Sequence, residues 1–187
     1  MYLIGLSGKM GVGKTAIAQY IIDQLAGWQI TAFADGLKDE TAREYGFDVR
    51  LCYGNKDTVI TLKNGQRKTV RELLQWHGTD VVRARDPHHW VRGMEAHLAA
   101  SENVGIPGIV IHDVRFPNEA NMVRKKRGFL VRIEPYAGYQ ATSSHSSENA
   151  LERYQGFMLT LAPVLGDDSL REAAEQIISA AQISIGI

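Results

Sequence analysis

The chain has little cysteine, no imbalance of charge and no long apolar run, and each absence removes a class of protein. Cys52 is the only cysteine among 187 residues, which excludes an internal disulfide framework and any paired-cysteine metal or redox centre and fits a reducing compartment. No stretch approaches the roughly 18 consecutive apolar residues of a membrane-spanning helix, and the first residues lack the basic-then-apolar pattern of a secretory signal. The expected location is cytoplasmic, with no membrane as partner. Basic and acidic residues number 21 each, so no overall field draws the protein onto polymeric nucleic acid, and any anion must be held by a local device. The six histidines offer no metal centre: His88 and His89 are adjacent and point apart, with no acidic or sulfur partner at ligand spacing. No internal repeat and no low-complexity tract is present.

What is there reads as alternating strands and helices. With 44% apolar residues the chain can bury one sizeable core, and a single domain over 1–187 is expected. "YLIGL" is an apolar strand, 15–26 carries apolar residues at helical spacing, and "ITAFA" at 30–34 is a second strand. A charged helix is expected over 37–45. "NKDTVITLKNGQRKTV" then forms a polar hairpin turning at Asn64-Gly65. Helices follow over 70–83 and 90–100, then a strand "GIVIHDV", a short basic helix over 118–127, strands in "GFLVRI" and "GFMLTLA", and a closing helix over 169–181. This order predicts an α/β architecture: a five-stranded parallel sheet with helices on both faces, a three-layer sandwich. Residues 136–149, rich in Ser, Gly, Ala and Thr, form the candidate mobile loop.

Between the first strand and the first helix lies Gly8-Lys9-Met10-Gly11-Val12-Gly13-Lys14-Thr15, which satisfies G-x-x-x-x-G-K-[ST] in the setting that motif requires. Glycines let the loop curl so that backbone N–H groups point at an anion, and the helix adds its unpaired donors and positive dipole end. Gly8, Gly11, Val12, Gly13, Lys14, Thr15 and Ala16 are therefore the expected ATP-binding residues, with Lys14 reaching the β- and γ-phosphates and the Thr15 hydroxyl a ligand for Mg²⁺. The chain is thus expected to have the P-loop NTPase fold. Asp113, at the carboxyl end of an apolar strand, is expected in the same Mg²⁺ shell, on the sheet edge where open α/β proteins bind ligands. Arg115 offers a planar cation for a transferring phosphoryl group, with an ion pair to Glu119 as the alternative. "NKDT" at 55–58 fails the guanine-reading pattern by one residue. The strand ending at Asp113 continues with Val114 rather than glutamate, so no water-activating carboxylate of a motor ATPase is offered.

Taken with the P-loop, "FADGLK" at 33–38, "RELLQWHGTDVVR" at 71–83, "HHW" ending at Trp90, "DVRFPNEA" at 113–120 and "HSSE" at 145–148 resemble the deoxynucleoside monophosphate kinases of tailed bacteriophages. The resemblance implies transfer of the γ-phosphoryl group of ATP to a deoxynucleoside 5′-monophosphate, in an infected host's cytosol, on a nucleoside-monophosphate-kinase fold. A small helical and hairpin insertion at about 37–104 would bind the monophosphate, and 115–149 would supply a lid or mobile loop. It also implies roles for Arg71, Gln75, Gly78, Thr79, Trp90 and Lys38 at the substrate and for Asp113 and Arg115 at metal and phosphate; Lys14, Arg115, Asp113 and Arg71 would carry catalysis. The residues agree: Arg71, Gln75 and Gly78-Thr79 fall about one turn apart on one helix face, Gln75 can read a base edge, and Trp90 can stack on a base or sugar. Glu72 stands where the family often has a second basic residue, and Gly36 where proline is common, which loosens the loop after Asp35. Arg124-Lys125-Lys126-Arg127 could close over the triphosphate, or simply end a helix. His145 is a candidate loop contact. Two other readings stay open: a kinase of another small metabolite such as dephospho-coenzyme A, and a nucleotide-gated binding protein. Homodimerisation is also left open, since no residue pattern bears on it.

Overall fold

The computed structural model describes residues 1–140, 149–164 and 166–187; His145 and the rest of "HSSE" lie outside them. In chain order the elements are β1 (Tyr2–Gly8), α1 (Lys14–Gln24), β2 (Gln29–Thr31), α2 (Phe33–Tyr45), a 3₁₀ turn (Val49–Cys52), β3 (Val59–Thr61), β4 (Arg67–Thr69), α3 (Val70–Gln75), a π-helix (Trp76–Arg83), α4 (His89–Asn103), β5 (Gly108–Val114), α5 (Pro117–Lys125), β6 (Phe129–Ile133), β7 (Leu159–Leu161) and α6 (Asp167–Ile185). They fall into two compact units, Met1–Ala32 with Leu98–Ile187, and Phe33–His97.

The first unit is built on a five-stranded sheet in the order β2-β5-β1-β6-β7, and every neighbouring pair runs parallel. β1 is central and buried from Leu3 to Leu6, as a strand covered on both faces must be. Ile4 and Leu6 join Val110, Val131 and Ile133 in one cluster with Ile17, Ile21, Ala174 and Ile177 of α1 and α6; fully burying each large aliphatic side chain stabilises by about 1.5–3 kcal/mol. The opposite face is closed by α5: a Cβ on Gly5 would stand 3.1 Å from Val123. The expected three-layer α/β sandwich is thus present.

The second unit holds the β3–β4 hairpin, antiparallel with Val59 opposite Thr69. Leu62 and Gln66 close its turn through Leu62 N–H to Gln66 O at 2.8 Å, with Gly65 at φ +82°. Thr69 caps α3 by accepting from Glu72 N–H while the Glu72 carboxylate accepts from Thr69 N–H, a reciprocal box written in the sequence as Thr-x-x-Glu.

Two boundaries depart from the expected ones. The second strand ends at Thr31, and α2 begins at Phe33, so Gly36 lies in the first turn of a helix rather than in a loosened loop. The helix over 70–83 divides into an α-helical turn and an eight-residue π-helix. Within the region expected to supply a lid, the expected helix over 118–127 and strand in "GFLVRI" are present as α5 and β6. The basic run 124–127 ends α5, where cations suit the negative dipole end: Arg124 donates to Gly156 O at 2.9 Å and Arg127 adopts φ +58°. Among the described residues no helix is long and apolar enough to cross a membrane.

Candidate active site

β1 delivers the chain into the loop at Gly8, and α1 starts from Gly13 as a left-handed N-cap with φ +91°. Gly8 and Gly11 also have positive φ, +149° and +86°. Glycine is required twice over at two of these positions, since a Cβ on Gly8 would meet Ile133 O at 2.3 Å and one on Gly13 would meet Leu170 Cδ2 at 2.6 Å. The first turn of α1 carries no acidic residue, so the positive end of its dipole is not offset locally.

Lys14 is only 8% exposed, and its Nζ donates to Gly8 O at 2.8 Å and Lys9 O at 2.6 Å, holding a cation inside the curl of the loop. Val12 and Ala16, expected at the nucleotide, turn their side chains into the α1–α6 core, so only their backbones can serve an anion. Thr15 is exposed on the first turn, and its Oγ1 lies 3.3 Å from Nδ1 of His112.

His112 escaped the sequence reading. Opposite Gly5–Ser7 of β1 the register of β5 slips, from Gly5↔Ile111 to Ser7↔Val114, placing one extra residue in β5 around His112 and Asp113. Such bulges re-aim side chains. Asp113 is buried at this bulge, while the imidazole beside it reaches Thr15. Strand alternation puts His112 on the side of Val110, which faces α1, but the slip that carries it to Thr15 is written in neither strand alone.

Beside the loop, Ser7, Gly8, Lys9, Arg115, Arg132 and Glu134 line a cleft at the carboxyl ends of β1, β5 and β6. Arg132 is held by Glu134 at 2.5 Å and by Leu151 O at 3.1 Å. Glu119, buried, accepts from the backbone N–H of Arg115 at 2.8 Å and of Phe116 at 3.1 Å, so its carboxylate caps the start of α5. Lys9 bonds Asn149 and, at 2.8 Å, Glu152; this hydrogen bond holds the Glu152 carboxyl below its ordinary value. Tyr139 donates to Met10 O at 2.7 Å. Lys9 and Tyr139 are therefore loop anchors that the motif alone did not disclose.

The remaining expected residues lie in the second unit. Lys38 pairs with Asp35 at 2.9 Å and sits 4.1 Å over the Tyr53 ring. Arg71, exposed, bonds Asp57 at 3.2 Å. Gln75 is exposed at the end of α3 and Thr79 half-buried in the π-helix. Two roles are corrected. Trp90 is 7% exposed and its indole N–H donates to Gly78 O at 3.2 Å, so the ring fills the core of this unit rather than offering a face to a base. Gly78 is buried, and a Cβ there would meet Leu37 at 2.9 Å; it admits a close helix contact and supports its neighbours.

A glycine-bent anion loop at a helix N-terminus, under a 2-5-1-6-7 parallel sheet, defines a P-loop nucleotide-binding fold. Among solved structures, dephospho-CoA kinase from Campylobacter jejuni shares this fold with a TM-score of 0.55 at 12% identity, covering 98% of each chain. A sugar kinase from Janibacter sp. HTCC2649 does so with a TM-score of 0.51 at 16% identity, covering 100% of this chain and 95% of that one. The model of the deoxynucleotide monophosphate kinase family matches residues 46–177. A protein of Acanthamoeba polyphaga mimivirus, provisionally named deoxynucleotide monophosphate kinase, is 30% identical over 96% of this chain and 95% of its own. The chain belongs to the deoxynucleotide monophosphate kinase family, and it is a phosphotransferase whose acceptor is a deoxynucleoside monophosphate.

Proposed function

We propose that the phosphoryl donor is ATP with Mg²⁺ and that the residues described above divide the work as follows. Lys14 and the backbone N–H groups from Gly8 to Ala16 hold the β- and γ-phosphates. The loop fits a polyphosphate because its curl leaves no room for a Cβ at Gly8 or Gly13. Thr15 and Asp113 supply hard oxygen donors of the type Mg²⁺ prefers; the ion, when bound, neutralises charge on the β- and γ-oxygens. Arg115 serves the transferring phosphoryl group. Lys38, Arg71, Gln75 and Thr79 serve the acceptor nucleotide, Arg71 by exchanging Asp57 for phosphate and Gln75 by two hydrogen bonds to a base edge.

In the reaction an oxygen of the monophosphate attacks the γ-phosphorus in line as the bond from the γ-phosphorus to the bridging oxygen breaks. ADP leaves with the electron pair and the acceptor becomes the diphosphate. A phosphate oxygen is already ionised near neutral pH, so no general base is assigned. Holding two polyanions together is the whole task, and cations do it.

The observation that carries this reading is Lys14, buried at the centre of a three-glycine loop in a chain of this family. Its test is a coupled assay of ADP formation from ATP and Mg²⁺ with each of the four deoxynucleoside monophosphates, the ribonucleotides, and no acceptor. Turnover with one or more deoxynucleotides is expected and defines the base range. ATP binding with no transfer to any monophosphate would overturn the acceptor assignment.

A further inference from the structure

His77 is the most deeply buried titratable ring outside the P-loop unit, at 5% exposed, and the proposed chemistry does not use it. It lies in the π-helix between Gln75 and Thr79. Its Nε2 is 3.2 Å from Glu40 Oε1 and its Nδ1 is 3.0 Å from Tyr45 Oη. The other oxygen of Glu40 lies 2.8 Å from Nε2 of His89, the residue before Trp90. Glu40 and Tyr45 belong to α2, which also carries Lys38. One carboxylate and one phenol of α2 thus grip both nitrogens of a single ring in the π-helix, and the same carboxylate holds the first residue of α4.

We propose that Glu40, His77 and Tyr45 form a positioning clamp that sets the affinity for the deoxynucleoside monophosphate by fixing the π-helix, with Gln75 and Thr79 at its start, against the α2 segment bearing Lys38. The inference rests on the assignment of those three residues to the acceptor.

The chemistry of the bonds specifies the clamp. An ionised Glu40 only accepts, so Nε2 of His77 donates to it; the clamp assigns Nδ1 as the acceptor of the Tyr45 O–H. Burial by itself would raise the Glu40 carboxyl, but the hydrogen bonds from His89 and His77 bring it below its ordinary value. Burial also pushes the Tyr45 phenol up, keeping it a donor. A π-helix is rare, forms weaker local geometry than an α-helix and recurs at functional sites. Eight residues of it need fastening from outside, and a ring bonded at both nitrogens supplies that with directional contacts that apolar packing lacks.

The test compares Glu40→Gln, Tyr45→Phe, His77→Ala and His77→Gln with the parent in steady-state kinetics, melting, and ¹⁵N spectra of the histidine rings. Glu40→Gln presents an amide N–H₂ to one imidazole N–H, and Tyr45→Phe removes only a hydroxyl. Loss of a hydrogen bond to a charged group corresponds to roughly tenfold, so Glu40→Gln and His77→Ala should raise KM for the monophosphate about tenfold, with kcat and KM for ATP within about twofold. Tyr45→Phe should do so more weakly, and His77→Gln, which keeps one donor and one acceptor, should recover most of the affinity. The parent spectrum should show His77 protonated at Nε2 and bare at Nδ1. An Nδ1–H tautomer, an unchanged KM for the monophosphate, or equal rises in both KM values would overturn the clamp. Gln75→Ala separates the two levels: if it raises KM for the monophosphate while the clamp variants do not, the inference alone falls; if it has no effect, the acceptor assignment falls with it.

Discussion

Nδ1 of His112 lies 3.3 Å from Oγ1 of Thr15, joining the bulged end of β5 to the first turn of α1 across the nucleotide loop. The ring fixes the direction of a hydroxyl assigned to the Mg²⁺–ATP complex. His112→Ala should therefore raise the dissociation constant of ADP with Mg²⁺ by about three- to tenfold, the worth of one hydrogen bond, while the melting temperature stays nearly unchanged. His112→Asn, with a side-chain amide in reach, should recover part of the loss. Equal affinity in the alanine variant would show the contact to be incidental.

Lys14→Ala should lower kcat by about a hundredfold or more, because charge developing on the phosphates loses its central cation. The substitution also strands Gly8 O and Lys9 O, which Nζ now holds. These acceptors are part-buried, so water can replace part of the lost bonding and the cost stays below the roughly 1–3 kcal/mol of a fully buried acceptor; a modest fall in denaturation midpoint should accompany the kinetic loss. Near-normal turnover in the folded variant would remove Lys14 from the mechanism.

Gly13→Ala tests the loop's shape separately from its charge. The new Cβ meets Leu170 at 2.6 Å on a backbone at φ +91°. Left-handed geometry costs a residue with a Cβ about 1–2 kcal/mol before any clash. Denaturant unfolding should show at least that loss, together with weakened ATP binding. Gly46, also at positive φ but with open space around its Cβ position, should show the backbone penalty alone on the same change, without loss of ATP binding.

Acid stability should carry the signature of Glu40. Its folded-state pKa is lowered from 4.5, so its contribution is fully present above that unfolded value and is lost as pH falls through the lower folded value. Unfolding free energies of the parent and Glu40→Gln should differ most above pH 4.5 and converge as the pH falls below it. Around this pair, Glu44 and Arg85 act on Tyr45, and Asp86, itself bonded to Arg92, faces His89; Asp86→Asn provides the control for its share. A gap that widens with acid would contradict the sign.

The layer around β1 was legible because its signals are local and mutually consistent: an apolar run that only a doubly covered strand tolerates, glycines where a loop must bend, and helical spacing from Thr15 onward. The site was legible to the extent that a motif encodes backbone shape. His112 was not, since its approach to Thr15 depends on a one-residue slip between β1 and β5 that neither strand announces alone. The division at Trp76 was equally hidden: α- and π-helical turns accept the same residues, and the fastening at His77 comes from Glu40 and Tyr45, more than thirty positions earlier. Trp90 was misread for a related reason. An aromatic ring beside polar neighbours looks like a platform until its N–H is found on Gly78 O.

The seat of Gly13 against Leu170 orders events during synthesis. The loop is made by residues 8–15, yet one wall of their conformation is α6, Asp167–Ile185, far later in the chain. A nascent chain on the ribosome therefore carries the motif long before it can close the loop on a nucleotide. Competence for the nucleotide waits for α6, and a polypeptide stopped before that helix has no finished cradle.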